Sequence, residues 1–542
     1  MLRRAAAAAI ALALVVAACG GDDDDAVSTD PPAAGSAAPA PAEPGSSDPG
    51  ATTPSSAGGE APAVRGGTLR YGDANGPSRF DPHRSTIGQD IRFFAPVYDR
   101  LVHFDEVGEL TPGLATEWSF NEAGTEFTMT LREGVTFHDG APFDSAAVKA
   151  NIERGQTIEG SSISADLADI TSIATPDPMT VVFTLSRPNS MLPGLLSHRA
   201  GSMVSPTAFE NPDLDRAPVG AGPYRVVEYV EGDRIIYERY EDHWDTEAGG
   251  PDRIELRILP DPTTRLNALR SGELDMTTVG GGQLTEAETA GFTIDSGPGL
   301  TYLVLYLNRA RAEFDDALVR RAMNHAIDRQ AIIDAVLLGA GDAAVQPFPE
   351  NYYAYNPDYP GDYFEFDPER ARELLAEAGL EDGFSFEMLV TNLDTYMRAG
   401  EAVQQMLADV GIEATIRTVE AAQTADVYYA QEEGDALVSQ WGGRPDPQMT
   451  LELQFTSTGF SNPGRHTTDE MEAANETTRA AVDPAEREAA LQAETAIVVE
   501  EAFQVPIAHD YGNFVYGAAV TSFSRLVTGQ PNFPGISMAD AD

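Results

Sequence analysis

Apolar and polar residues alternate with a period of two at Phe127, Met129 and Leu131 and through Thr180-Val181-Val182-Phe183-Thr184-Leu185, the spacing of half-buried strands. Thr68-Leu69-Arg70-Tyr71-Gly72 reads as a strand closed by glycine, and Tyr224 to Tyr240 as two strands turning at Glu231-Gly232-Asp233. Ala436-Leu437-Val438-Ser439-Gln440 has the continuous apolar character of a buried strand. Helical periodicity lies between these segments. A helix from about Asp315 to Ile327 buries Leu318, Ala322, Met323 and Ala326, and a second from Gln330 to Leu338 buries Ile332, Ile333, Val336 and Leu337. Asp261-Pro262, Asp367-Pro368 and Asp483-Pro484 each set a capping carboxylate before a proline at the first helical position, and Glu486 completes a capping box. Gly272, Gly379 and Gly411 follow the last apolar positions of their helices as stops. Strands and helices mix along the whole chain, so the class is α/β or α+β with more than one sheet, and no repeat of 20 to 50 residues is visible.

The N-terminus breaks this pattern. Arg3 and Arg4 precede an apolar run from Ala5 to Ala18, short for a membrane span and suited to the core of a secretion signal. Val16-Ala17-Ala18-Cys19 resembles the bacterial lipobox, which implies cleavage after residue 18 and a diacylglyceryl group on Cys19. Residues 19–64 are Gly, Asp, Ser, Ala and Pro with almost nothing large and apolar, so they cannot bury enough surface to offset ordering entropy and read as a tether.

Composition narrows the function classes. The chain has 542 residues, too many for one hydrophobic core, so two or more packed units are expected. Its formal charge of −51 opposes binding to nucleic acid, and membrane contact is expected only through the lipid anchor. Only one basic residue, Lys149, is a lysine, a compositional bias that carries no functional reading. Cys19 is the single cysteine, which rules out an intramolecular disulfide. The eight histidines form neither H-E-x-x-H nor a paired cluster, and His138-Asp139-Gly140 reads as a turn, so no metal or resident cofactor is expected. There is no G-x-S-x-G elbow and no phosphate-cradling G-x-x-x-x-G-K; a secreted hydrolase is the weaker alternative to a binding protein.

One segment carries binding chemistry on physical grounds alone. Trp441-Gly442-Gly443-Arg444-Pro445-Asp446-Pro447 follows the Ala436 strand at its carboxyl end, the position that ligands of open α/β sheets favour. The glycines permit close approach, the indole offers an apolar face, and Arg444 and Asp446 supply both signs of charge. Asn308, Tyr302 and Asn75 are further candidates for the same surface.

Several blocks together resemble the family 5 extracellular solute-binding proteins, the peptide- and nickel-binding components of ABC importers. They are Leu110-Thr111-Pro112-Gly113-Leu114-Ala115 with Glu117-Trp118, Leu131 to Gly140, Phe143 to Val148, Gly220 to Tyr224, Gly272 to Asp275, Tyr302 to Asn308, Asp315 to Asp328 and Val505 to His509. The resemblance implies a periplasmic-binding-protein type II fold of two hinged lobes with an inserted subdomain. Lobe I would comprise 65–97, 216–297 and 507–542, the insert 98–215, and lobe II 298–506, with hinges near Pro298-Gly299 and Val505-Pro506. It implies a monomer that captures a peptide or similarly sized solute in the interlobe cleft, at the outer face of the cytoplasmic membrane. Its partners would be ABC permease subunits with their ATPases; a metal chelate, sugar or opine as cargo, or a sensor or chaperone role, remains compatible with the same fold. In peptide-binding members an aspartate shortly after the Trp-containing turn meets the peptide's amino terminus. Here Arg444 stands in that place and Asp446 two residues on, which disfavours an ordinary free peptide unless Asp446 takes the role.

Overall fold

The computed structural model describes residues 64–444 and 446–539. The expected signal peptide at 1–18, Cys19 and the tether up to residue 63 lie outside the described residues. The chain divides at Glu60/Ala61 into two units, and the described residues belong to the second. Among the described residues no helix is long and apolar enough to cross a membrane.

An eleven-stranded mixed sheet forms the spine of this unit. Its path runs Ile412–Val419, Phe384–Thr391, Ala436–Trp441, Thr293–Leu307, Val505–Tyr516, Met276–Thr278, Thr68–Asp73, Arg253–Ile258, Arg234–Arg239 and Tyr224–Val230, and Gly341–Ala343 pairs with Val505–Tyr516 off this path. Each half has a parallel centre: Thr68–Asp73 lies between two parallel partners in one, and Phe384–Thr391 in the other. Strands covered on both faces need apolar side chains throughout, and Met388, Leu389 and Val390 are all fully buried.

Two long antiparallel strands join the halves. Thr293 to Pro298 pairs with Tyr516 to Tyr511, and Tyr302 to Leu305 pairs with His509 to Val505. Between Pro298 and Tyr302 the register shifts, so the connection is weakest where both strands pass from one half to the other.

A separate four-stranded antiparallel sheet, Ala115–Phe120, Glu126–Leu131, Thr180–Leu185 and Ile170–Asp177, is built within the segment expected as an insert. The period-two residues Phe127, Met129, Val181 and Phe183 close its core against the helix Ser145–Thr157. Asp144 caps that helix by accepting from the Ala147 N–H at 3.0 Å.

The capping aspartates behave as their sequence context predicts. Asp261, Asp367 and Asp483 accept from the backbone of Thr264, Arg370 and Glu486, while Gly272, Gly379 and Gly411 take positive φ. One core position differs from expectation. In the helix Ala317–Ala326, Ala322, Met323 and Ala326 are buried as expected, but Leu318 is only half-buried and Val319 and Arg320 are turned inward instead. The Arg320 guanidinium reaches the carbonyls of Phe314, Asp315 and Glu501, which satisfies a buried charge that helical periodicity alone would place outside.

Candidate ligand-binding site

Trp441 ends the strand Ala436–Trp441 and pairs in register with Tyr302, beside the interrupted stretch of the long strand. The ring is 5% exposed, and its indole N–H donates to Thr450 Oγ1 at 3.1 Å, which fixes the orientation of the plane. The two glycines after it differ. Gly443 has φ +61, and a Cβ there would lie 2.5 Å from Leu300 Cβ and 2.7 Å from the Leu300 carbonyl, so only glycine lets the loop press onto the crossing strand. Gly442 is exposed, and a Cβ there would meet nothing within 4 Å. Arg444 then folds back, its guanidinium carbon 4.8 Å from the Trp441 ring centroid and its Nη1 donating to the Gly443 carbonyl at 3.2 Å.

Asp446 does not face the same space. It is 2% exposed, accepts the Gln448 N–H at 3.0 Å as cap of the helix Pro447–Phe455, and receives Arg487 Nη2 on both oxygens at 2.7 and 3.0 Å. Burial works against the Arg487 charge, yet the Asp446 carboxylate holds its pKa above the ordinary guanidinium range. Arg487 Nε in turn donates to Ser190 Oγ at 3.0 Å, and Ser190 N–H donates to the Arg479 carbonyl at 3.0 Å. Arg479 lies 3.3 Å from Asp169 and also pairs with Glu452. A buried ionic seam therefore ties the segment 169–190 to the helices on which the Trp441 loop rests, and it occupies the carboxylate that sequence alone offered as an ammonium receptor.

Two other candidates are also turned inward. Tyr302 is fully buried, with its hydroxyl accepting from Gln504 Nε2 at 2.8 Å and from Gln454 Nε2 at 3.0 Å. Asn308 is 2% exposed; its N–H donates to the Asp435 carbonyl at 2.9 Å and its Oδ1 accepts from Ala310 N–H at 3.3 Å. The Tyr302 hydroxyl is thus held by two buried glutamines, and the Asn308 carbonyl oxygen Oδ1 is held by its own turn. Asn75 is exposed just past the strand Thr68–Asp73, and its N–H turns back to Asp73 Oδ1 at 3.1 Å.

The structure adds groups to the loop that nothing in the sequence pointed to. Asp166, His198 and Arg199, all half-buried, come from the segment 98–215; Asp166 and Arg199 act electrostatically on each other and on Arg444, and His198 feels both arginines. Burial pushes the Asp166 carboxyl up to about 6 against the pull of Arg444 and Arg199. Burial, with Arg444 beside it, lowers Arg199 to about 10 and holds His198 well below the ordinary imidazole value, in its neutral form. Nearby, Tyr396 of the helix Asp394–Ala408 donates to Gln440 Oε1 at 2.7 Å, and Gln440 Nε2 reaches Asp510 of the strand Val505–Tyr516 at 3.4 Å. These groups meet only through tertiary packing, with 245 positions separating Arg199 from Arg444.

The larger described cavity, about 780 Å³, is lined by Arg329, Gln346, Tyr359, Phe364 and His509 among others and does not include the Trp441 loop. Its arginine is consumed by the carbonyls of Ala344, Pro506, Asn324 and Phe364, so it offers volume without free cationic chemistry. No group of three metal-ligating side chains occurs among the described residues. His138 Nε2–H donates to the Gly222 carbonyl at 2.9 Å, and burial lowers its pKa to about 4.

A model of the family described as bacterial extracellular solute-binding proteins, family 5, matches residues 109–462. The glutathione-binding protein GsiB of Salmonella paratyphi A is 32% identical over 334 residues, 60% of this chain and 65% of that protein. The chain thus spans just under two thirds of that relative's length. Heme-binding protein A of Haemophilus influenzae is 27% identical over 529 residues, 88% of this chain and 94% of that protein. The ABC transporter-associated periplasmic binding protein DppA from Helicobacter pylori, solved in complex with peptide STSA, matches with a TM-score of 0.73 at 25% identity, over 88% of this chain and 98% of that one.

Proposed function

The chain belongs to the bacterial extracellular solute-binding proteins of family 5, with the type II periplasmic-binding-protein fold, and from that premise we propose that it captures a peptide-like solute beside the Trp441 loop for delivery to an ABC importer. The family is one of binding proteins, not enzymes. In this reading one lobe comprises 65–97, 216–297 and 507–542, the other 298–506, and 98–215 is the inserted subdomain. The register shift between Pro298 and Tyr302 supports a hinge at that crossing, since strands that lose pairing there bend at least cost. An acylated Cys19 would hold the mature protein at the outer face of the membrane as a monomer.

The observation that carries this reading is the loop itself: an oriented indole, an open Gly442 and an Arg444 guanidinium that forms no ion pair among the described residues, all at the end of one strand. Relatives named for binding glutathione and heme, and a neighbour holding a peptide, support a solute of that size. Titration calorimetry with glutathione and with the tripeptide Ala-Ala-Ala tests the assignment. Arg444→Ala is expected to weaken whichever binds by at least tenfold, and unchanged affinity would remove the loop from the site. Co-purification with two permease subunits and two ATPases from solubilised membranes tests the import role separately.

A further inference from the structure

The cavity of about 780 Å³ contains no residue of the Trp441 loop, and its charge is one-sided. Five carboxylates line it, Asp328, Asp342, Glu350, Asp362 and Glu365, against one guanidinium, Arg329, which leaves an excess of four negative charges. Arg329 is buried and gives its N–H groups to backbone carbonyls and to Asn324 Oδ1, so it touches none of the five. Exposed carboxylates such as Glu241, Glu273 and Glu286 find arginines elsewhere on the chain, but none of these five forms an ion pair among the described residues. Asp328 accepts only the Ala331 N–H, at 2.9 Å, and Asp342 the Tyr511 hydroxyl, at 2.6 Å. Acidic composition alone spreads carboxylates over a surface; it does not gather them around an aromatic space. Tyr355, Tyr359, Phe364 and Phe366 line the same cavity, and among the described residues no guanidinium lies over any of their rings, in contrast to Trp244, Phe503 and Trp441.

A buried group faces this space as well. His509 lines the cavity at 4% exposure, and its Nδ1 is buried with no hydrogen-bond partner among the described residues. Burial, opposed by the carbonyls of Phe348 and Gln346, lowers its pKa to about 4, so the ring is neutral at pH 7. A neutral imidazole carries a lone pair on one nitrogen and therefore has an acceptor to offer an N–H donor.

We propose that this cavity is a second binding site, separate from the Trp441 loop, for a small organic cation that carries an ammonium on an aromatic body. Carboxylates and a neutral imidazole accept from an ammonium, and open ring faces take both an aromatic body and a positive charge. An anion finds no free cation there. The site shares no residue with the loop, so it stands or falls apart from the capture reading, and Pro298 and His509 place its occupant against the two crossing strands.

Phenethylammonium, methylammonium and phenethyl alcohol, each titrated calorimetrically into the full chain at pH 7 and low ionic strength, test this. Phenethylammonium is expected to bind once per chain and at least tenfold more tightly than either of the others, which lack the body or the charge. Glu350→Gln, Asp362→Asn and Glu365→Gln combined, all at exposed positions without an ion pair, are expected to shrink the preference for the ammonium over the alcohol severalfold. Equal binding of ammonium and alcohol, several weak equivalents per chain, a preference that survives the triple variant, or silence towards phenethylammonium would overturn the site. The comparison of the three probes uses the unaltered protein and does not depend on any variant folding.

Discussion

Glu494 is fully buried in the helix Pro484–Glu500, with Oε1 accepting from Asn475 Nδ2 at 2.9 Å. Burial raises its pKa to about 7, above the value of roughly 4.3 for an unfolded glutamate. The native state therefore binds more protons than the unfolded state between those values, and stability falls as pH rises through that window. Glu494→Gln is expected to stabilise the protein by about 2 kcal/mol at pH 8 and to change little at pH 4, measured by urea unfolding. A second titration bears on binding. Asp166, near 6, is pulled down by Arg444 and Arg199 and pushed up by burial and Glu452; Glu452 is itself paired with Arg479, and His198 stays neutral. Protonation of Asp166 removes a charge that opposes an incoming carboxylate, so affinity for glutathione is expected to rise roughly three- to tenfold from pH 8 to pH 5. Asp166→Asn should bind at the acid-side level throughout, and a pH response that persists in that variant would show another group at work. None of this chemistry is visible from residue type: Arg444 can be named because it follows a strand and two glycines, whereas Asp166 and Arg199 sit in segments with no distinguishing pattern.

At the scale of elements, the loop after Ala436–Trp441 gives paired predictions from adjacent residues. Gly443→Ala forces a Cβ against Leu300 at a positive φ and is expected to cost about 1–3 kcal/mol in thermal unfolding, whether or not ligand is present. Gly442→Ala meets nothing in the fold and should leave stability within about 0.5 kcal/mol; a larger side chain such as Gly442→Leu should weaken binding alone. Asp446→Asn strips the partner from a buried guanidinium and is expected to destabilise by about 3 kcal/mol, since Arg487 also holds Ser190. The helix limits, the hairpin at Glu231-Gly232-Asp233 and the buried Ala436 strand are legible in the sequence because caps, stops and periodicity are local signals. The burial of Arg320 and the commitment of Tyr302 and Asn308 are not, because each depends on carbonyls or amides from segments more than a hundred residues away, such as Glu501, Gln504 and Asp435.

Over the whole molecule, sequence blocks spread from Leu110 to His509 are enough to indicate the family, because they mark turns and strand ends that the architecture requires. They say little about cargo, because the side chains proposed to meet it carry no local signal of their own. The protein is expected to bind one unmodified small molecule per chain beside the Trp441 loop. Native mass spectrometry of the full chain with glutathione tests this most directly. A single intact glutathione adduct, lost in Arg444→Ala, is the expected result; a cleaved product or an adduct untouched by that substitution would contradict it.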